Sequence, residues 1–96
     1  MKLYAFMFMG NYKPEHTVVW DNEDMRTTIF TVGSFEEGKV VVEKIYKEGY
    51  GALELCGAFS KEMADAFAEI TNHEMAIGYM THDPALDGAF AKFFAG

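Results

Sequence analysis

The sequence predicts a small α/β domain with a mainly parallel sheet and crossover helices, in the order β-β-α-β-α-β-α. Two patterns favour this fold: apolar or β-branched runs too short for helices, and capped helical segments that separate them. Strands that alternate with helices indicate parallel pairing through right-handed crossovers. A length of 96 residues allows one domain, residues 1–96.

Two strands are predicted in the first third of the chain. Residues 3–9 form a continuous apolar run that ends at Gly10, which is typical of a buried strand. Residues 27–32 are β-branched and aromatic and predict the second strand. Between them, Pro14 and the polar cluster at 21–24 are loop signals, so residues 10–26 fit either a short hairpin with an edge strand at 17–20 or an irregular crossover.

Residues 34–48 form the clearest helix. Ser34 and Glu37 match a capping box, in which each side chain satisfies a free backbone N–H. The apolar residues Gly38, Val41, Val42 and Ile45 share one face at helical spacing. Gly49 is placed to end the helix in a left-handed conformation.

The second half repeats this alternation. Residues 51–56 predict a third strand, Ser60 caps a helix over 60–71, and residues 75–80 predict a fourth strand. Asp83 and Pro84 supply an N-cap and a first-turn proline for a last helix at 84–94. One stripe of that helix carries Leu86, Ala89, Phe90, Phe93 and Phe94.

Composition excludes several classes of partner. A formal net charge of −7 disfavours nucleic acids and anionic membrane surfaces, whose recognition depends on Lys and Arg. No stretch reaches the roughly 18 apolar residues of a membrane span. The single cysteine, Cys56, rules out a disulfide framework within one chain. We therefore expect a cytoplasmic protein.

The stretch Glu54-Leu55-Cys56-Gly57-Ala58-Phe59 resembles one in a family of short prokaryotic proteins, about 100 residues long and of unknown function. The likeness extends from residues 5–9 to the strand near residue 80, whereas the Phe-rich end departs from it. The resemblance implies the same α/β fold. It implies no activity, substrate or cofactor.

A candidate site lies at the carboxyl ends of the predicted strands. Parallel strands end on one rim, and ligands of α/β proteins bind in the crevice beyond it. That rim would bring together small, polar or titratable residues, namely Gly10, Asn11, Gly33, Ser34, residues 56–60 and residues 81–83.

Three residues of this region are candidates for catalysis: Glu54, Cys56 and His82. Glu54 lies within a strand whose two faces should both be covered, and a buried carboxyl can act as a general acid or base. Alternatively, its face is only half covered and the carboxylate is solvated or paired. Cys56 precedes a helix and could be a nucleophile with His82 as its base, or simply a small buried apolar residue.

Four residues are candidates for ligand binding: Gly10, Asn11, Gly57 and Ser60. The last two begin a helix whose backbone N–H groups could hold an anion, although an ordinary strand-to-helix turn explains them equally. The three histidines lack metal-ligand spacing, so we expect no metal, and no motif indicates a cofactor.

Two functions remain open. One is a small-molecule site at the rim, with or without catalysis. The other is a non-catalytic module that self-associates, since nine Phe, five Tyr and one Trp exceed what so small a core can hide. This excess predicts a homodimer whose contact includes Phe93 or Phe94, with Trp20 as a further candidate. Alternatively, the last helix folds back onto its own sheet and the chain is a monomer.

Overall fold

The computed structural model describes residues 1–96, apart from the side chain of Pro14. The strands are β1 (Lys2–Met9), β2 (Val18–Asp21), β3 (Met25–Val32), β4 (Ala52–Leu55) and β5 (Ala76–Tyr79). The helices are α1 (Phe35–Lys47), α2 (Lys61–Ile70) and α3 (Asp87–Ala95), with short 3₁₀ turns at Pro14–His16 and Pro84–Leu86. The α/β prediction is confirmed.

The five strands form one sheet in the order β2-β3-β1-β4-β5. β1 pairs in parallel with β3 on one side and β4 on the other, and β4 pairs in parallel with β5. Only β2, at one edge, runs antiparallel to its neighbour β3. The sheet is therefore mainly parallel, as the alternation of elements predicts.

The segment between β1 and β3, for which the sequence left two alternatives, contains the short strand β2. β2 and β3 form a hairpin, so the sheet has one strand more than the four predicted. The hairpin turn is held by Asn22, whose side-chain oxygen accepts hydrogen bonds from the N–H groups of Asp24 and Met25, each at 2.9 Å. At the end of the hairpin, Arg26 donates two hydrogen bonds to the Asp21 carboxylate, at 2.8 and 3.0 Å. The polar cluster is thus a turn, and residues 18–21 are the edge strand.

The helix ends follow the sequence signals, with two differences. Ser34 Oγ accepts from the Glu37 N–H at 3.1 Å, but the Glu37 carboxylate accepts from the Gly33 N–H, at 2.8 Å, and not from that of Ser34. Ser60 Oγ caps α2 by accepting from the Met63 N–H at 3.2 Å. The cap by Asp83 opens a 3₁₀ turn, so α3 begins only at Asp87.

The core lies between α1, α2 and one face of the sheet. Alternate residues of the central strands point into it, among them Ala5, Met7, Leu53 and Leu55, which are almost fully buried. The helices contribute Val42 and Ile45 from α1 and Ala64 and Phe67 from α2. Both crossovers, from β3 to β4 and from β4 to β5, advance in the same direction across the sheet. Right-handed crossovers of this kind place their helices on the same face.

The other side of the sheet carries a second set of side chains, which we call the open face. The register places them on one side because paired residues of neighbouring strands point the same way. Its members are exposed or half-buried: Tyr4, Phe6, Phe8, Val18, Trp20, Thr27, Ile29, Thr31 and Glu54. The expectation that both faces of the sheet are covered is therefore wrong. The strand order sends both crossover helices to one side of the sheet and leaves the other side without a helix.

The last helix, α3, packs against the 3₁₀ turn before it, and every one of its residues is exposed. The chain has a radius of gyration of 14.0 Å and extents of 40 × 27 × 24 Å. A compact chain of this length would have a radius of about 12.5 Å. The molecule is therefore elongated. Among the described residues, no helix has both the length and the apolar character to cross a membrane.

Candidate functional site

The carboxyl ends of β1, β3, β4 and β5 lie along one rim, because these four strands are parallel. At this rim the Gly10 N–H donates to the Val32 carbonyl at 3.0 Å and the Cys56 N–H donates to the Met7 carbonyl at 3.1 Å. The loops after β1, β4 and β5 carry Asn11, Gly57 and His82. Asn11, Gly57 and His82 thus follow strands that end at the same edge of the sheet.

Glu54 is exposed and belongs to the open face, between Phe6 of β1 and Gly78 of β5. Its carboxylate lies over Gly78, where a Cβ atom would stand only 2.7 Å from Oε1. Of the two readings of this residue, the half-covered face is the one observed. The negative charge of Glu54 also affects Tyr4. The pKa of Tyr4 is raised mainly by burial and secondarily by the Glu54 carboxylate.

Cys56 and His82 occupy neighbouring loops at the β4 and β5 ends of the rim. Cys56 is buried as a free thiol. The His82 ring is half-buried and stacks on Phe90, with 3.8 Å between ring centres and 9° between planes. Its Cε1 lies 3.5 Å from the place that a Cβ of residue 57 would take. His82 thus anchors the start of α3 to the loop after β4, and its pairing with Cys56 stays a prediction.

Gly57 and Ser60 form the turn between β4 and α2. The Ser60 hydroxyl accepts a hydrogen bond from the Met63 N–H, so it serves as the helix cap. The Phe59 N–H donates back to the Cys56 carbonyl at 3.1 Å, which closes the turn. These bonds account for the turn as a structural connection, and anion binding here stays a prediction.

Gly10 and Asn11 lie at a different part of the rim. Because β4 separates β1 from β5, the strands that precede Asn11 and His82 lie two strand spacings apart, about 9.5 Å. Asn11 lines an open cleft of about 460 Å³ on the open face, together with Phe8, Tyr12, His16, Ile29 and Thr31. Gly10 lies beside it, because a Cβ at this position would stand 3.0 Å from the Tyr12 ring.

The cleft has aromatic walls and a few polar groups. The ring centres of Phe6 and Phe8 are 5.2 Å apart in a stacked arrangement, and those of Phe8 and Tyr12 are 6.3 Å apart. The rings of Tyr12 and His16 meet edge to face, with 5.9 Å between their centres. His16 Nδ1 accepts a hydrogen bond from the Lys13 N–H at 3.0 Å, and this bond fixes the ring through Nδ1 and not through Nε2. The Thr31 hydroxyl donates to the Lys13 carbonyl at 3.2 Å and ties the loop to β3. This arrangement suits a flat, largely apolar group better than an anion.

The grouping of Phe8, Tyr12 and His16 on the open face was not predicted from the sequence. The signal was present as a period of two: Tyr4, Phe6 and Phe8 alternate with Leu3, Ala5 and Met7. A continuous apolar strand is typical of burial on both faces. The alternation of aromatic with aliphatic residues therefore did not predict that the aromatic face would be exposed. Among the described side chains, no group of three or more His, Cys, Asp or Glu residues could hold a metal ion.

Comparison with known proteins identifies one relationship. A family model described as "Family of unknown function (DUF6506)" matches residues 2–95. No curated protein and no solved structure matches the chain.

Proposed function

We propose that this chain, which belongs to the family of unknown function DUF6506, is a non-catalytic interaction module that forms a homodimer through the open face of its sheet. One observation carries the proposal: a mainly parallel sheet has helices on one face only, and its other face is lined by aromatic rings. Mainly parallel sheets are normally covered on both faces. The uncovered face is therefore a surface that a partner would complete.

The chemistry of the open face supports association over catalysis. Trp20 is 60% exposed and pairs across the strands with Thr27, whose neighbour on the far side is Tyr4. Contiguous apolar patches of this kind on soluble proteins mark sites of contact with other molecules. Trp and Tyr are also enriched among the residues that dominate binding energy at interfaces.

Light scattering on a single substitution tests this proposal. The unmodified chain should have about twice the 10.8 kDa mass of one chain at micromolar concentration. Trp20→Ser removes the most exposed ring of the open face and should shift the mass toward one chain. Val40→Ser is the matched control, because Val40 is an equally exposed apolar residue on the outer side of α1. A monomeric unmodified chain would refute the proposal.

A second candidate function is binding of a small molecule at the rim. The cleft beside Asn11 favours it, because polar groups of Asn11, Tyr12 and His16 surround an aromatic floor. Pockets for small ligands typically combine apolar walls with a few placed polar groups. Catalysis by Glu54, Cys56 and His82 would be a further property of the same rim.

A thermal-shift screen of small aromatic compounds tests the second candidate. A compound that raises the melting temperature of the unmodified chain should lose this effect in Asn11→Ala if it occupies the cleft. It should lose the effect in Glu54→Gln if the carboxylate takes part. A compound that stabilises all three proteins equally binds elsewhere, which would contradict a rim site.

We place the protein in the cytoplasm as part of the same proposal. The support is chemical: the one cysteine is a buried, free thiol, and the acidic chain offers no disulfide framework. Fractionation of the native cell, with detection of this chain, tests the compartment. Recovery outside the cytoplasm would contradict it.

A further inference from the structure

The last helix presents a second apolar surface. Leu86, Ala89, Phe90, Phe93 and Phe94 line one side of α3 and the turn before it, and we call this set the α3 stripe. Phe93 and Phe94 are 76% and 78% exposed and meet edge to face, with 5.0 Å between ring centres. The chain thus carries two apolar surfaces without a partner, one on a sheet and one on a helix.

The contacts of His82 hold α3 beside the loop after β4. The ring of His82 is held between the Gly57 loop and Phe90, at the carboxyl rim next to the edge strand β5. The Asp83 side chain caps the following turn by accepting from the Ala85 N–H at 3.0 Å.

The areas of the two surfaces favour their joint use. The three Phe rings of the α3 stripe, with Leu86, expose roughly 400 Å². The side chains of the open face, led by Trp20 at 60% and Val18 at 40% exposed and including half-buried aromatic and aliphatic residues, expose a similar area, roughly 400 Å². A stable interface buries about 800 Å² on each partner. Either surface alone supplies half of that, and the two together supply all of it.

We propose that two copies of this chain exchange their last helices, so that the α3 stripe of each copy packs on the open face of the other. The inference rests on the proposed homodimer and names the segment of the second copy that covers the open face. The exchanged helix completes the layer that the chain's own crossovers leave out, because it gives the parallel sheet a helix on its second face.

The dimensions of the two surfaces agree. The nine residues of α3 span about 13.5 Å, which exceeds the roughly 10 Å between β2 and β1 across the sheet. The aromatic and aliphatic side chains of the open face lie on these three strands, β2, β3 and β1. Glu54 lies on β4, at the border of this area, so its carboxylate keeps contact with water. The docked helix therefore buries rings and leaves the charge outside.

Mixing two complementary variants tests the exchange. Phe93→Asp with Phe94→Asp disables the helix, and Val18→Asp with Trp20→Asp disables the open face at an exposed edge strand. Val40→Asp is the matched control. Circular dichroism establishes that each variant is folded, and Trp20→Ser replaces the open-face variant if it is not. Native mass spectrometry and light scattering then give the masses of each variant and of their equimolar mixture.

The exchange predicts that each disabled variant is a monomer, that the control is a dimer, and that the mixture forms a heterodimer. In the mixture, one intact helix meets one intact open face, so one of the two contacts returns with half of the buried area, and the heterodimer forms only at a higher concentration than the unmodified dimer. A mixture that stays monomeric even at millimolar concentration would overturn the exchange, because contacts of helix with helix or of face with face cannot be restored by mixing. A dimeric helix-disabled variant would also overturn it, while leaving the proposed homodimer standing. A monomeric unmodified chain would refute both.

Discussion

At the scale of single residues, the polar groups of the interior are few and paired. Among the described side chains, the only buried polar or charged residues are Thr28 and Thr71. The hydroxyls of Thr28 and Tyr50 share a hydrogen bond of 2.8 Å on the helix-covered side of the sheet. The Thr71 hydroxyl donates to the Ala68 carbonyl at 3.1 Å. Each buried hydroxyl thus has a partner, which keeps the cost of its burial small.

We expect Tyr50→Phe to lower the free energy of unfolding by about 1–2 kcal/mol, because it leaves the Thr28 hydroxyl buried without its partner. Urea unfolding followed by circular dichroism measures the change. The double variant Tyr50→Phe with Thr28→Val removes both partners and should be less destabilised than the sum of the two single variants. Strict additivity would mean that the bond contributes nothing.

The raised pKa of Tyr4 gives a prediction for alkaline pH. Burial comes first among its causes and the Glu54 carboxylate second, so Glu54→Gln should lower the pKa of Tyr4 only part of the way toward its usual value. Absorbance of tyrosinate against pH measures this, and Tyr4→Phe identifies the component that belongs to Tyr4 among the five tyrosines. An unchanged titration in Glu54→Gln would contradict the influence of Glu54 on Tyr4.

The same shift makes stability depend on pH in a defined direction. A tyrosine whose pKa is higher in the folded chain holds its proton more tightly there, so folding is favoured while the proton is bound. This contribution is complete below the unfolded pKa of about 10 and is lost as the pH rises through the folded pKa. As the pH rises through this range, the free energy of unfolding should therefore fall less steeply in Tyr4→Phe than in the unmodified chain.

At the scale of elements, the helix signals of the sequence were reliable because caps and terminators act locally. Ser34, Ser60 and Gly49 take the predicted roles, with Gly49 at φ 98°. The hairpin at 18–32 and the shortened α3 were harder. A four-residue edge strand has too few residues to show a period, and Asp83 with Pro84 caps a 3₁₀ turn by the same chemistry as an α-helix.

Gly49→Ala should lower the free energy of unfolding by about 1–2 kcal/mol, because an L residue is strained in the left-handed conformation that ends α1. Thermal unfolding by calorimetry measures the loss. Gly51→Ala is the control two residues away, where a Cβ would meet nothing within 4 Å in the described chain, and it should change stability by less than about 0.5 kcal/mol. Equal effects at both positions would contradict a conformational role for Gly49.

At the scale of the whole molecule, strand order is the property that the sequence did not reveal. The alternation of elements predicts a parallel sheet, but it does not say which strands are neighbours. The order β3-β1-β4-β5 sends both crossovers one way and leaves the open face bare. For the same reason the candidate residues lie at separate places: Asn11 lines a cleft over β1 and β3, whereas His82 lies beside the loop after β4. The excess of aromatic residues was visible in composition, whereas its location was not.

The sole tryptophan provides the measurement that tests the central claim most directly, because Trp20 lies on the open face and is 60% exposed in one chain. Its fluorescence emission and its quenching by acrylamide can be followed as the protein is diluted from micromolar concentration, with the mass measured in parallel. If a second copy covers the open face, Trp20 emits at shorter wavelength and resists quenching in the dimer, and both properties shift to those of an exposed ring as the mass falls. Emission and quenching of an exposed tryptophan at every concentration, with a mass of 10.8 kDa throughout, would contradict the account.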